Sequence, residues 1–217
     1  MSRIPEFRDE VLRFRDWART NQDTFRGWEC CYKHWDWLYA EARRAIWILN
    51  DVNVADDVES DLLYAIARDN EGENIREFLA KSPALLEVLA QRAVSYDDSD
   101  ARWQIAQSVA DARLPNAAEL IRPFLTDSDE YVRRRALMAI APFSPAEAES
   151  IAIANLNDEF EYSRIAALHV LHRVGSSRLE EFLNRHEHDP DEYVRRNVQE
   201  IRDALQNQIC DDRSEKS

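Results

Sequence analysis

The second half of the chain repeats itself with a fixed step of 31 residues. Arginine recurs with this step at four positions, and tyrosine, aspartate and glutamate each recur at three. The columns are Arg102, Arg133, Arg164 and Arg195; Tyr131, Tyr162 and Tyr193; Asp127, Asp158 and Asp189; and Glu130, Glu161 and Glu192. Helical amphipathicity sets a rhythm of about 3.6 residues and carries no memory over a longer distance. The columns therefore indicate a structural repeat.

Each repeat has the pattern of two helices joined by a turn. The first helices are predicted over 83–94, 116–125, 145–156 and 178–185, and the second helices are predicted to begin near Asp100, Asp129, Glu161 and Asp191. Ser82 and Ser144 each precede a proline and are expected to cap two first helices, and Gly175 is expected to end a second helix. Only 3 glycines in 217 residues favour helices over hairpins, so an all-α fold is predicted.

The openings of the second helices resemble the short bacterial type of HEAT-like repeat, in which an acidic turn is followed by Val-Arg-x-x-Ala. The segment from Asp129 to Ala136, DEYVRRRA, matches this pattern, and DEYVRRNV from Asp191 to Val198 matches it except at the last position. The resemblance covers residues 83–205. It implies a right-handed α-α superhelix, an armadillo-like solenoid whose second helices line the concave surface. It specifies function poorly, because such repeats serve many roles.

Residues 1–82 do not keep the period, although their helical rhythm continues. Five of the six tryptophans lie here, namely Trp17, Trp28, Trp35, Trp37 and Trp47. A solenoid must cover its open end, so we expect a divergent, Trp-rich helical cap within the same domain. An apolar stripe predicts one long helix through Trp28, Cys31, Trp35, Leu38, Ala42, Ala45 and Leu49. Residues 206–217 are expected to form a flexible acidic tail, frayed from Asp211 onward.

The arginine column has two interpretations. One arginine per repeat could clamp a phosphate or a substrate, or it could bind the aspartate of its own or the adjacent repeat. We expect the second, because the planar guanidinium suits bidentate pairing with a carboxylate.

Residues beside the apolar stripe are the candidates for partner binding. The resemblance implies that two rows face the concave surface and vary between repeats. They are Trp103, Arg134, Ile165 and Arg196 in one row, and Gln107, Met138, His169 and Glu200 in the other. Trp37 lies off the stripe in the cap and is a further candidate anchor, since aromatic residues are frequent binding hot spots.

Sites for metals, cofactors and catalysis are not indicated. Cys30, Cys31 and His34 have helical spacing, but a zinc site needs a further ligand or open position, so we expect core cysteines. His186 and His188 are expected to be solvated in a turn. The sequence has no nucleotide-binding glycine loop, nucleophile elbow or HExxH motif. We therefore expect neither a cofactor nor enzyme activity.

The formal net charge of -14 favours a basic protein partner and opposes binding to nucleic acid or anionic membranes. Few cysteines and no apolar leader or spanning segment favour a cytoplasmic protein. The leading hypothesis is a bacterial protein-binding scaffold, and its concrete form is an immunity or antitoxin-type protein that neutralises a cationic toxin. A DNA-binding or DNA-repair protein is the first alternative, since arginines cluster at 133–135 and 195–196. A bilin-lyase-like modifying protein is the third.

Overall fold

The computed structural model describes residues 4–21, 31–49 and 56–214. Within these ranges the chain contains twelve α-helices and no strand, so the predicted all-α class is confirmed. The contacts divide the chain into two units, Met1–Ala136 and Leu137–Ser217. Helix α8, defined below, spans the boundary between them.

The described residues of the first unit form a series of helices. They are α1 (Pro5–Thr20), α2 (Trp35–Leu49), α3 (Asp56–Arg68), α4 (Asn74–Leu79), α5 (Pro83–Ala93), α6 (Ser99–Asp111) and α7 (Ala117–Ile121), followed by a 3-10 helix (Arg122–Thr126) and the start of α8 (Glu130–Ile140). Helix α6 is the central element, because α3, α4, α5 and α7 all pack on it. Gln104 of α6 is buried, and its Nε2 donates to the carbonyl oxygen of Ile66 at 2.7 Å.

The second unit holds four further helices. They are α9 (Pro145–Asn155), α10 (Glu161–Arg173), α11 (Leu179–His186) and α12 (Glu192–Ser214). Helix α10 is central here, since it contacts α9, α11 and α12. Helix α12 continues to Ser214, into the segment predicted as a tail.

The helix boundaries of the repeats agree closely with the sequence pattern. Helices α5, α9 and α11 begin within one residue of their predicted starts, and so do the second helices α6, α8, α10 and α12. The segment predicted as one helix over 116–125 instead changes to a 3-10 helix at Arg122. Pro123 accounts for the change, because it has no N–H to donate to the α-helical hydrogen-bond pattern.

The two serines that were predicted to cap first helices do not do so through their side chains. Ser82 and Ser144 occupy N-cap positions, but in the described structure neither side chain makes a capping hydrogen bond. Aspartates make such bonds at the starts of the second helices α8 and α12. The Oδ1 atom of Asp129 accepts the N–H of Tyr131 at 2.8 Å, and that of Asp191 accepts the N–H of Tyr193 at the same distance.

Gly175 ends helix α10 as predicted. Its φ of 68° lies in the left-handed region that glycine adopts without strain. Its N–H donates to the carbonyl of His172 at 3.1 Å, and the next N–H, of Ser176, donates to that of Leu171 at 3.0 Å. This pair of bonds is the Schellman arrangement, which satisfies the last carbonyl groups of a helix.

The long helix predicted from Trp28 starts only at Trp35, after a turn. Leu38, Ala42, Ala45 and Leu49 are buried as expected. Cys31 is exposed, so its assignment to the core is wrong. The reason is that residue 31 precedes the turn and does not share the helical register of α2; Trp28 and Cys30 lie outside the described residues.

Aromatic side chains form the core between α1 and α2. The ring of Phe14 lies 4.7 Å from the ring of Tyr32 and 5.2 Å from that of Trp35, measured between centroids. Trp17 and Tyr64 extend this cluster at 5.6 and 6.1 Å from Phe14. The aromatic richness of this region therefore contributes directly to its packing.

Candidate binding surface on the second helices

The repeated arginine is fixed by contacts within the protein. In the second unit, Arg164 donates through Nε and Nη2 to the two carboxylate oxygens of Asp189, at 3.0 and 2.8 Å. Its Nη1 donates to the carbonyl oxygens of Asp158 and Glu159, at 2.8 and 3.1 Å. One guanidinium thus ties the turn before its own helix to the turn of the next repeat, 25 residues further along.

The first unit contains the same arrangement. Arg102 donates through Nε and Nη2 to Asp127 at 2.7 and 2.9 Å, and through Nη1 to the carbonyl oxygens of Tyr96 and Asp97. For Arg102 and Arg164 the predicted pairing with aspartate is confirmed. The alternative of a phosphate clamp does not fit these two residues, because the donors that would bind the ligand are already occupied.

Electrostatics at Asp189 reflect this pairing. Burial by itself raises the pKa of the Asp189 carboxyl group. Hydrogen bonds from Arg164 and from the N–H of Asp191 lower the pKa, and together with the nearby positive charge of Arg164 they outweigh the effect of burial. The resulting pKa lies below the ordinary value for aspartate, so the carboxylate form is stabilised. Its side chain is only 5% exposed, and that of Arg164 is 11% exposed.

Trp103 is not part of an exposed row. Its side chain is buried, so the prediction that it faces solvent is wrong. The indole packs edge-on against the ring of Tyr131 at 5.5 Å, and the guanidinium of Arg135 lies 4.6 Å from the indole ring centre. The cause is the central position of α6, whose neighbours cover nearly its whole circumference.

The other members of the first row are half-buried or exposed. Arg134 is half-buried, with its Nε 3.2 Å from Glu130 and its guanidinium over the ring of Tyr131. Ile165 is half-buried on α10, and Arg196 is exposed on α12.

The second row is polar and partly engaged. Gln107 is half-buried and donates to Asp111 at 3.0 Å, whereas Met138 is half-buried and its carbonyl oxygen accepts from Arg173 at 3.2 Å. Glu200 is exposed and accepts from the Nε of Arg196 at 2.9 Å. Glu200 and Arg196 thus partly neutralise each other at the surface.

His169 connects the two second helices of the second unit. Its Nε2 lies 2.6 Å from the Oδ1 of Asn197, whose Nδ2 donates to the carbonyl oxygen of Tyr193. Because the Asn197 amide nitrogen is engaged as a donor, Oδ1 is the acceptor and the Nε2 of His169 carries the proton. This bond fixes the orientation of the half-buried imidazole.

The structure adds two exposed tyrosines to the predicted surface. Tyr162 on α10 is 45% exposed and Tyr193 on α12 is 48% exposed, and their rings stack with centroids 6.4 Å apart. Together with Ile165 and Arg196 one turn along, they form what we call the tyrosine surface. Their 31-residue spacing is visible in the sequence. The repeat alone, however, does not distinguish a residue that is buried between repeats from one that is exposed.

Exposed tryptophans mark a second region, on helix α2. Trp37 is 64% exposed, in agreement with the prediction that it lies off the apolar stripe. Trp47 is 79% exposed, and the sequence pattern did not single it out as a candidate anchor. The two lie ten residues apart on one helix, which separates them by about 15 Å along the axis and about 80° around it, so both project from its solvent-exposed side.

The structure describes Cys31 and His34 of the candidate metal ligands, whereas Cys30 lies outside the described residues. Among the described residues no three His, Cys, Asp or Glu side chains form a group that could hold a metal ion. His186 is buried at the end of α11, with its ring nitrogens 2.9 and 3.0 Å from the carbonyl oxygens of Phe182 and Leu156. The prediction of a solvated His186 is therefore wrong, since this side chain belongs to the core, whereas His188 is exposed.

Comparisons with known proteins add no relative. No protein-family model matches the chain, and no curated protein matches it significantly. In the part of the chain that the structure describes, no helix has the length and apolar character needed to cross a membrane.

Proposed function

We propose that the chain is a HEAT-like α-solenoid scaffold that binds a basic protein partner through the tyrosine surface. In support, the repeated units are helix pairs, and α10 and α12, the second helices of adjacent repeats, contact each other directly. This neighbourhood is the one that the resemblance implies for the concave side of a solenoid.

The observation that carries the proposal is the exposed stack of Tyr162 and Tyr193. Large aromatic side chains on a surface are typical anchors of protein interfaces, because they bury much area at little cost in conformational entropy. Ile165 and Arg196 beside them differ from each other, and their column holds Trp103 and Arg134 in the other two repeats. The scaffold is thus shared between repeats, while this surface carries specific chemistry.

The charge around the tyrosine surface favours a basic partner. Glu159, Glu192 and Glu200 are exposed on or next to the helices that carry the tyrosines. Arg196 is the cation of the surface, and its pairing with Glu200 reduces its contribution. Complementary charge would raise the rate of association with a cationic protein and favour it over an acidic one. An immunity-type protein that neutralises a cationic toxin is the concrete form of this proposal.

A DNA-binding role receives less support. The arginines that suggested it are engaged in contacts within the protein: Arg133 and Arg195 donate to turn carbonyls, Arg134 lies beside Glu130, and Arg196 pairs with Glu200. A locally positive strip would need these donors to face phosphate groups. A bilin-lyase-like role has no specific observation in its favour.

A quantitative capture experiment tests the proposal. The tagged chain is incubated with lysate of its own cell, and the retained proteins are identified and quantified. We expect a basic protein whose retention decreases with added salt. Changing both tyrosines, Tyr162→Ala with Tyr193→Ala, should reduce that retention at least about tenfold.

The matched control changes an exposed pair at the start of α11, Arg178→Ala with Glu181→Ala, and should leave retention unchanged. Retention of acidic proteins alone, or a partner whose binding is indifferent to salt, would contradict the basic-partner proposal. Salt-sensitive micromolar binding of a DNA duplex, measured by fluorescence anisotropy, would favour the alternative.

A further inference from the structure

Helix α2 has two unlike faces. One face packs into the first unit through Leu38, Ala42, Ala45, Ile46 and Leu49, all of which are buried. The opposite face, which we call the outer face of α2, carries Asp36, Trp37, Ala40, Arg43, Arg44 and Trp47, all of which are exposed. Positions on a helix face that meets only water are normally polar. Here two of the six are tryptophans, so the outer face requires an explanation.

The composition of the outer face is that of a binding hot spot. Trp and Arg are among the residues most enriched at the energetically dominant positions of protein interfaces, and they make up four of the six residues. The face carries two arginines and one aspartate, in a chain whose formal net charge is -14. This face is therefore less repelled by a second copy of the acidic chain than the rest of the surface would be.

The order of residues along the outer face is self-complementary. Trp37, Ala40, Arg44 and Trp47 follow one another at steps of three, four and three residues, which is the spacing of a seam between two paired helices. This spacing reads the same in both directions. A twofold axis at the level of Ala42 would therefore place each tryptophan opposite the other and Ala40 opposite Arg44 of the second copy. Such reciprocal pairing is what an isologous interface requires.

We infer that two copies of this chain associate through an antiparallel pair of α2 helices. In this arrangement Trp37 of one copy packs on Trp47 of the second at each end of the contact. The small side chain of Ala40 leaves room at the centre for the long side chain of Arg44 from the second copy. The tryptophans contribute aromatic packing, and the alanine permits a close approach of the two helices.

The charges beside the seam match the same register. Glu41 lies next to Arg44 within one copy, with an oxygen 3.3 Å from the arginine Nη1. The twofold axis places Arg44 of the second copy level with Ala40 of the first, one residue from Glu41 and on the same side of the helix pair. The two glutamates and two arginines then alternate across the contact, so each cation faces carboxylates from both copies.

The size of the contact sets the expected affinity. Each tryptophan can bury about 150–250 Å², so two from each copy bury about 600–1,000 Å² in total. This area lies below that of a standard stable interface, so the dimer should be weak and should dissociate on dilution. Two chains of the same net charge repel each other over their whole surfaces, and we expect this repulsion to outweigh the attraction of the exposed ion pairs, so added salt should strengthen the dimer.

Sedimentation velocity of the full chain tests the inference at concentrations from about 1 to about 200 µM, where a weak dimer would dissociate on dilution. We expect a reversible monomer–dimer equilibrium that shifts toward dimer with salt. Trp37→Ala with Trp47→Ala should weaken it at least about thirtyfold. The matched control is Leu12→Ala, an exposed apolar side chain on α1, which should leave the equilibrium unchanged.

A charge reversal tests the antiparallel register. Arg44→Glu places carboxylates together across the interface and should weaken the dimer, whereas Glu41→Arg combined with Arg44→Glu should restore it. Circular dichroism checks that each variant remains helical. A wild-type chain that stays monomeric, a dimer indifferent to the tryptophan changes, or a double reversal that does not restore association would each overturn the inference.

Discussion

Removal of the Arg164 guanidinium should destabilise the second unit more than any change at its surface. Arg164→Ala deletes four hydrogen bonds, two to Asp189 and two to carbonyl oxygens of the preceding turn. It also leaves a carboxylate whose side chain is 5% exposed without its cation. The cost therefore includes an uncompensated buried charge as well as the lost contacts.

The expected magnitude follows from this burial. Breaking a buried ion pair by removing one partner costs about 3–5 kcal/mol. Asp189 still accepts the N–H of Asp191 at 2.9 Å, which retains part of its stabilisation. We therefore expect about 3 kcal/mol, or a decrease in Tm of about 6–12 °C for a chain of this size. Arg164→Lys should recover only part of the loss, because an ammonium group cannot reproduce the planar fork.

The assay is urea denaturation followed by circular dichroism, with Arg178→Ala as the control. Arg178 also pairs with a carboxylate, Glu181, but both side chains are about half exposed. Solvent screens such a pair, so the control should not measurably change the free energy of unfolding. If Arg164→Ala and Arg178→Ala gave equal free energies of unfolding, the structural role assigned to the arginine column would be refuted.

Three further predictions follow from single residues. Trp103→Ala should lower the free energy of unfolding by about 3–5 kcal/mol in the same urea assay, because it empties a buried site, whereas Trp37→Ala should change it by less than about 0.5 kcal/mol. Because the pKa of Asp189 is lowered in the folded state, its ionised form stabilises the fold above the unfolded pKa of about 3.9, and this stabilisation is lost as pH falls through the folded pKa. Asp189→Asn should therefore flatten the decline in stability below about pH 4, which is measured as the urea midpoint against pH. Gly175→Ala should cost about 1–2 kcal/mol through backbone strain alone, since a Cβ there meets no atom within 4 Å; a thermal melt equal to wild type would contradict the assigned left-handed cap.

The sequence predicted the repeat because its signals are local or periodic. The helix starts depend on acidic turns and on prolines that lie within a few residues of the boundary, and such signals do not depend on the rest of the fold. The pairing of Arg164 with Asp189 was predictable for a related reason. A contact between adjacent repeats recurs with the repeat and leaves two columns with a constant separation.

The failures concern burial, which depends on neighbours that a single helix does not reveal. Trp103 occupies the same column as the exposed Arg196, yet α6 is surrounded and α12 is not. The position of Cys31 in the sequence has the helical spacing of the apolar stripe of α2, but the residue lies before the turn that precedes the helix. In both cases the periodicity was real, and the environment of the position decided the outcome.

The arginine contact also explains why the residues that recur in every repeat and the residues that vary between repeats lie at different positions. The two edges of the guanidinium bind two successive turns, so a change at either arginine or aspartate would disturb both turns at once. Residues one turn along, such as Ile165 and Arg196, contribute less to this connection and can vary without loss of the scaffold. A surface that binds one partner needs such freedom at several adjacent positions on a rigid support. The tyrosine surface meets this requirement, because α10 and α12 hold it in place through contacts that its own side chains do not supply.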